Sequence, residues 1–181
     1  MAIPDSGNAA AVGFARKSKK PYEVGMIRNH YVGRTFIQPS QFIRDFRVKV
    51  KLNPIKDVIK GNRLAVVEDS IVRGTTSRAR AKTIRDSGAK KIHMRISCPP
   101  IKAPCFYGID FPTKKELIAA NHSVQEIQDF MKLDSLKYLS KEGMLKAMLL
   151  PACEFCTACF DGNYPTKLPK KFSKQMLEKR R

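Results

Sequence analysis

Arg63-Leu64-Ala65-Val66-Val67-Glu68-Asp69-Ser70-Ile71-Val72-Arg73-Gly74-Thr75-Thr76-Ser77 is the stretch from which the fold follows. Arg63 to Val67 is a short apolar run, the pattern of a buried strand. Glu68 to Thr76 reads as a turn. Ser77 to Ser87 reads as a helix, with Gly88 as its stop. Lys91 to Ser97 then alternates, with Ile92, Met94 and Ile96 on one side and Lys91, His93 and Arg95 on the other, which is the period of a second strand. Strand, turn, helix and strand in this order form a βαβ unit. That unit implies a parallel sheet in an open α/β fold. Such sheets bind ligands beyond the carboxyl ends of their strands, where Glu68 to Thr76 lies.

The turn has its own chemistry. Two acids at the end of a strand can bind ribose hydroxyls or Mg²⁺. A turn of hydroxyls and glycine that enters a helix offers backbone N–H groups and a positive helix end to a phosphate. The two together suit a sugar phosphate. The G-x-x-x-x-G-K and G-x-G-x-x-G patterns are both absent, which excludes a Walker A loop and a dinucleotide loop. A bare acid pair at a strand end is an ordinary surface turn about as often as a ligand site; the whole string is more specific than the pair.

Outward from this unit, Pro4 to Asn8 reads as a turn and Ala9 to Ala15 as the start of a short helix. Arg28 to Ile37 mixes Gly, Asn, Arg and aromatic residues and reads as a loop. Beyond Pro112 the chain looks helical. Thr113-x-x-Glu116 and Ser123-x-x-Glu126 are capping boxes. Asp134 to Leu150 is a longer amphipathic helix candidate. After Asp161 the periodicity ends in Gly162, Pro165, Pro169 and a Lys- and Arg-rich tail. The expected organisation is a partial first domain over 1–112, a helical, Cys-containing segment packed on it over 113–160, and a loose basic tail over 161–181.

The 181 residues are 43% apolar, enough for a globular core. No apolar run approaches the roughly 18 residues of a membrane span. The start of the chain lacks the pattern of a signal peptide, so a cytoplasmic location is the expectation. The net charge of +19 points to anionic partners: nucleic acid, anionic lipid or phosphorylated metabolites. A solvated basic surface accounts for it equally well. Five cysteines, an odd number, argue against a disulfide framework. Cys153, Cys156 and Cys159 have the C-x-x-C-x-x-C spacing of metal ligands, suited to an iron–sulfur cluster or zinc. Cys98 reads as a buried free thiol, and His93, on a strand face, as structural.

The string from Val66 to Ser77 resembles the ribose-phosphate loop of type I phosphoribosyltransferases. Its Ser-Ile-Val-Arg-Gly-Thr-Thr core is similar to that of the glutamine phosphoribosylpyrophosphate amidotransferase family in particular. The usual Asp-Asp pair of that family is here Glu68-Asp69, one methylene longer at the first position. Pro4-Asp5-Ser6-Gly7 resembles the family's pyrophosphate loop. Arg28-Asn29-His30-Tyr31-Val32-Gly33-Arg34-Thr35 resembles the loop that closes over substrate, with His30 in place of a more usual Arg. Lys49-Val50-Lys51-Leu52-Asn53-Pro54, Pro99 to Lys102, Cys105 to Asp110, Glu116 to Asn121, Asp134 to Leu136 and Tyr138 to Ser140 also match. The likeness runs from Ile3 to about Pro165.

The resemblance implies a type I phosphoribosyltransferase fold, an open, mainly parallel sheet with flanking helices that lacks its start here, followed by a C-terminal helical segment. It implies transfer of ammonia to phosphoribosyl pyrophosphate, the first step of purine nucleotide synthesis. Arg28, Asn29, Tyr31, Arg34 and Thr35 would be catalytic. Asp5, Ser6, Gly7, Lys49, Lys51, Glu68, Asp69, Ser70, Arg73, Gly74, Thr75 and Thr76 would bind substrate. Ser6, Glu68 and Asp69 would form the Mg²⁺ site. Cys105, Cys156 and Cys159 would hold a 4Fe-4S cluster whose fourth ligand lies upstream in the family and is missing from this chain; Cys153 or Cys98 could substitute. The family's partners are a glutaminase domain, for which nothing here is a match, and further copies of the subunit. Two other readings stay open. One is a phosphoribosyl pyrophosphate sensor that binds nucleic acid without turnover. The other is an inactive truncated product.

Overall fold

The computed structural model describes residues 1–29, 52–111 and 113–167. Tyr31, Arg34, Thr35, Lys49 and Lys51 lie outside the described residues, as does the basic tail from 168 onward.

The elements run α1 (Asn8–Ser18), β1 (Met26–Arg28), β2 (Leu52–Pro54), α2 (Lys56–Ile59), β3 (Arg63–Glu68), α3 (Thr75–Asp86), β4 (Lys91–Ile96), α4 (Ile118–Asn121), α5 (Val124–Phe130), β5 (Ser135–Tyr138), α6 (Lys141–Lys146) and α7 (Ala158–Asp161). The main sheet is parallel in the order β3-β4-β5, with Leu64 opposite Ile92 and Met94 opposite Leu136. On the free side of β3 the first residues add a parallel bridge, with Ala2 opposite Val67. The amide of Ile3 donates to Val67 O (2.8 Å) and the amide of Val67 to Met1 O (3.0 Å). β1 and β2 form a separate antiparallel pair.

The side-chain pattern explains this sheet. Leu64, Val66, Ile92, Met94, Ile96 and Leu136 all point to one face. There they meet Ala81 and Ile84 of α3, Ile127 of α5, and Ile59, Met131 and Leu133 in one core. Burying an Ile or Met fully stabilises by roughly 1.5–3 kcal/mol. That decides how α3 is held, because its other side is mostly polar or charged. On the opposite face Val67 packs with Ala2 and Ala11, so α1 covers the β3 side. His93 and Arg95 share that face and both bond the Ser135 hydroxyl, at 2.9 and 3.0 Å. His93 lies on a strand face, as expected.

The βαβ unit stands where the sequence put it. The helix begins two residues earlier than expected, at Thr75, because Gly74 turns the chain with φ of 76°. Gly88, with φ of 92°, follows its end. Arg28 ends a strand rather than opening a loop.

The reading of Asp134 to Leu150 as one helix is corrected. Ser135–Tyr138 is the third strand, and only Lys141–Lys146 is helical. Leu136 and Tyr138 alternate with Ser135 and Lys137, and the open edge of β4 offers backbone partners that reward this period of two. Asp134 fixes the register by accepting from the Ile92 amide (2.8 Å) and from Arg85 (2.6 Å). Ser140 then caps α6 by accepting from the Gly143 amide (3.0 Å). Both capping boxes form. The one at Thr113 opens only the 3₁₀ turn Lys114–Glu116, because Leu117 is extended and fully buried.

Candidate functional site

The carboxyl end of β3 opens on a cavity of about 300 Å³. Ser6, Glu68, Asp69, Ser70, Arg73, Gly74, Thr75 and Thr76 all line it, joined by Ser77 and Arg80. Two loops far apart in sequence therefore face one space. Ser6 arrives because the Met1 to Ile3 segment runs beside β3, and the amide of Gly7 turns back to Ile3 O (3.1 Å). A side chain at Gly7 would meet the carbonyl oxygens of Ile3 and Val67, each at 2.7 Å, so only glycine lets the loop lie this close.

The turn from Asp69 to Gly74 is anchored at its middle and on its flank. The amide of Ile118 donates to Val72 O (2.9 Å), and the amide of Ser97 to Glu68 O (2.9 Å). Ile71 is buried in the core. Gly74 approaches Ile118 so closely that an added Cβ would lie 2.8 Å from its Cδ1. Thr75 and Thr76 of the first turn of α3 line the cavity, and the free amides of a helix start are suited to an oxyanion.

The two acids differ in environment. Asp69 is partly exposed, and its carboxylate accepts from the Ser70 hydroxyl (3.2 Å). Glu68 is 1% exposed and ion-paired with Arg80 of α3. Burial pushes the Glu68 carboxyl above its ordinary range, with the Arg80 guanidinium opposing it. Arg73 points outward to Glu116 at 2.8 Å, an exposed pair that holds the Glu116 carboxyl low. Asp5 sits outside the cavity and is paired with Arg28 at 2.7 Å. Asn29 follows β1 directly.

Arg80 was not among the residues picked out from the sequence. Its spacing from Thr76 and Ser77, four and three residues along a helix, was the signal that puts it on the same face.

Mg²⁺ typically takes one or two carboxylates and completes its shell with water and substrate oxygens. Asp69 and Ser6 fit that pattern, whereas Glu68 has a cation already.

The cysteines occupy a second corner. The amides of Lys102 and Ala103 both donate to Cys159 O (2.8 and 3.0 Å), which brings the segment after β4 against α7. The Tyr107 amide approaches Cys105 Sγ (3.4 Å), and Tyr164 donates its hydroxyl to Pro104 O (2.7 Å). Cys105, Cys156 and Cys159 are near one another: burial first, then Cys105 and Cys156, push the Cys159 thiol up to about 11. Cys98 is pushed up to about 12, mainly by burial and also by Asp69 and Cys159. Cys153 is exposed. Among the described residues no group of three or more His, Cys, Asp or Glu side chains stands ready to hold a metal. The three thiols share a corner without forming a ligand set.

No helix among the described residues is long and apolar enough to cross a membrane.

No protein-family model matches the chain. A curated amidophosphoribosyltransferase of Synechococcus elongatus is 54% identical over 180 residues, which is 98% of this chain and 36% of that protein. Nearly the whole chain is thus similar to one segment of that amidophosphoribosyltransferase. The amidophosphoribosyltransferase of Methanothermobacter thermautotrophicus is 52% identical over 171 residues, covering 94% of this chain and 36% of that protein. Amidophosphoribosyltransferase 1, chloroplastic, of Arabidopsis thaliana is 53% identical over 167 residues, or 92% of this chain and 30% of that protein. The chain thus spans about a third of the length of the curated amidophosphoribosyltransferases it matches.

Solved structures agree. The glutamine phosphoribosylpyrophosphate amidotransferase from B. subtilis complexed with ADP and GMP superposes with a TM-score of 0.84 at 48% identity, covering 95% of this chain and 39% of that one. A structure of the allosteric regulatory enzyme of purine biosynthesis gives a TM-score of 0.83 at 49% identity, covering 94% and 37%. The α/β fold with its mainly parallel sheet is that of these two solved enzymes.

Proposed function

We propose that the chain is the phosphoribosyl-transferring portion of an amidophosphoribosyltransferase, and that its substrate is phosphoribosyl pyrophosphate. The observation that carries this reading is the single cavity onto which Ser6, Asp69 and the turn from Ser70 to Thr76 converge. A phosphate on the amides of the α3 start and a ribose against Asp69 would leave the pyrophosphate toward the Ser6 loop.

The reaction is a displacement at the anomeric carbon. The bond from that carbon to the pyrophosphate oxygen breaks, and the leaving group takes the electron pair. A bond to the nitrogen of ammonia forms, and the surplus proton passes to solvent. Asp69 and Ser6 would hold Mg²⁺, whose charge offsets that of the departing pyrophosphate. The residues of this chain contribute positioning and fixed partial charge. Asp5, Gly7, Lys49 and Lys51 belong to the pyrophosphate side in this reading. Arg28, Asn29, Tyr31, Arg34 and Thr35 would close over the reacting centre and exclude water. Ammonia would come from a glutaminase domain or subunit, and the assembled enzyme would be a homo-oligomer in the cytoplasm.

The same reading gives Cys105, Cys156 and Cys159 to a 4Fe-4S cluster completed from outside the chain. It is supported by their shared corner, but the three thiols do not fit such a cluster as they stand, so no step of the chemistry runs through it. Iron and acid-labile sulfide in anaerobically prepared protein, lost in Cys156→Ser, would support it; their absence would remove it.

The test of the main reading is pyrophosphate release from phosphoribosyl pyrophosphate with Mg²⁺, with and without ammonium. Ammonium-dependent release that falls at least about 100-fold in Asp69→Asn is expected, as for loss of a positioning and charge-bearing group. Tight binding without any release, coupled to salt-sensitive nucleic-acid binding, would replace it with the sensor reading suggested by the +19 charge.

A further inference from the structure

The cavity contains a charge arrangement that a ligand-binding role for both acids does not explain. Glu68 is 1% exposed, so its carboxylate has left water almost entirely. Such a group needs a cation or a proton. Of the two cations among the described residues that line the cavity, Arg73 is engaged outside it with Glu116, and Arg80 is engaged inside it with Glu68. Besides Arg80, the Glu68 carboxylate has the Ser77 hydroxyl as a polar side-chain neighbour, and Arg80 Nε is buried without a hydrogen-bond partner among the described residues. Asp69, the next residue, has no ion pair among the described residues and is partly exposed. Adjacent acids at one strand end have thus been divided, one folded inward on α3 and one left facing the cavity.

We propose that Arg80 is a positioning residue that keeps Glu68 as an internal counter-ion, so that Asp69 is the one carboxylate presented to the sugar and its cation. Glu68 then acts by fixing the turn between β3 and α3, and it makes no contact with the ligand. The inference rests on the phosphoribosyl pyrophosphate reading. It has a physical consequence: removing Arg80 alone leaves a buried carboxylate without its cation. That carboxylate must then swing into the cavity, where it opposes the phosphates, or take up a proton.

The experiment is binding of phosphoribosyl pyrophosphate with Mg²⁺, followed by calorimetry across a mutant cycle, with thermal melting of each variant as the fold control. Arg80→Met is expected to weaken binding at least about tenfold, and Glu68→Gln/Arg80→Met to recover most of that loss, the signature of a coupled pair. Arg80→Lys, which retains the charge, should bind within about threefold of the parent, consistent with a mainly electrostatic role. Asp69→Asn should lose binding in every background. If the double variant binds no better than Arg80→Met, or if both it and Glu68→Gln lose binding, Glu68 touches the ligand and the proposal is overturned. Parent-like binding by Arg80→Met overturns it too. Should Arg80→Met fail to fold, the double variant still decides, because it contains no buried charge. A parent chain that melts cooperatively but binds nothing would instead overturn the phosphoribosyl pyrophosphate reading itself, and this inference with it.

Discussion

The turn between β3 and α3 and the cysteine corner are built in different ways, although both are made of short motifs. The loop from Asp69 to Gly74 is suspended between β3 and α3, which share one apolar core. Backbone bonds to Ile118 and Ser97 hold its middle and flank, and Gly7 presses against β3 from the other side. The cysteine corner has no such frame. Its residues lie on irregular chain and on the four-residue α7, joined by the two bonds to Cys159 O and by tyrosine hydroxyls. Ile101, Ala103 and Ala158 are its buried apolar residues. The difference teaches that a motif has fixed geometry when regular elements continue from both of its ends, and that residue spacing alone does not supply that.

Substitutions should separate the two regions. The largest effect is expected at Gly7→Ala. The new methyl meets two backbone oxygens that cannot rotate away, so a loss of about 3 kcal/mol is expected by chemical denaturation, at the upper end of overpacking costs. An unchanged midpoint would mean that the Ser6 loop is not pressed on β3 as described. Gly74→Ala should cost less, about 1–2 kcal/mol, because the clash is with the tip of the Ile118 side chain and the remainder is left-handed strain. It should also lengthen the path from Asp69 to α3 and weaken phosphosugar binding more than it lowers stability.

The smallest effect belongs to the corner. Asp161 accepts from the Asn163 amide, from Lys141 of α6 and from Thr157, and these hold its carboxyl down to about 2. A depressed acid contributes stability that is complete above its ordinary value of 3.8 and lost as the pH falls through about 2. Acidification through that window should therefore loosen α6 from α7, and Asp161→Asn should remove this step from the pH profile. The group is exposed, so the whole effect should stay below about 1 kcal/mol. A larger loss in the melting profile would mean that the corner is as firmly framed as the loop.

The same contrast explains what could be read in advance. The βαβ unit was legible because Ile92, Met94 and Ile96 follow a strict period and Gly88 marks a stop. Most residues assigned to phosphate and sugar were brought together because they lie on that unit or beside it. Ser135 to Tyr138 was misread because four residues after an acid and before a capped helix share the apolar spacing of a helix start. Only the free edge of β4, which is not local in sequence, makes a strand of them. Arg80 escaped notice for a similar reason. Its partner Glu68 is twelve residues away, at the other end of the turn, and an exposed-looking arginine on a charged helix gives no sign that it faces inward. The cysteine spacing was visible, but spacing says nothing about whether irregular chain brings thiols to ligand distance.

The chain has no tryptophan and five tyrosines. Tyr107 and Tyr164 stand at the cysteine corner, their rings 6.2 Å apart, with Phe106 5.2 Å from Tyr164. The intrinsic ultraviolet emission of the protein is therefore tyrosine light alone, and part of it originates beside Cys105 and Cys159. An absorbing or heavy-atom centre assembled on those sulfurs would darken the part of that light that comes from Tyr107 and Tyr164. The molecule contains its own optical reporter for the cysteine corner.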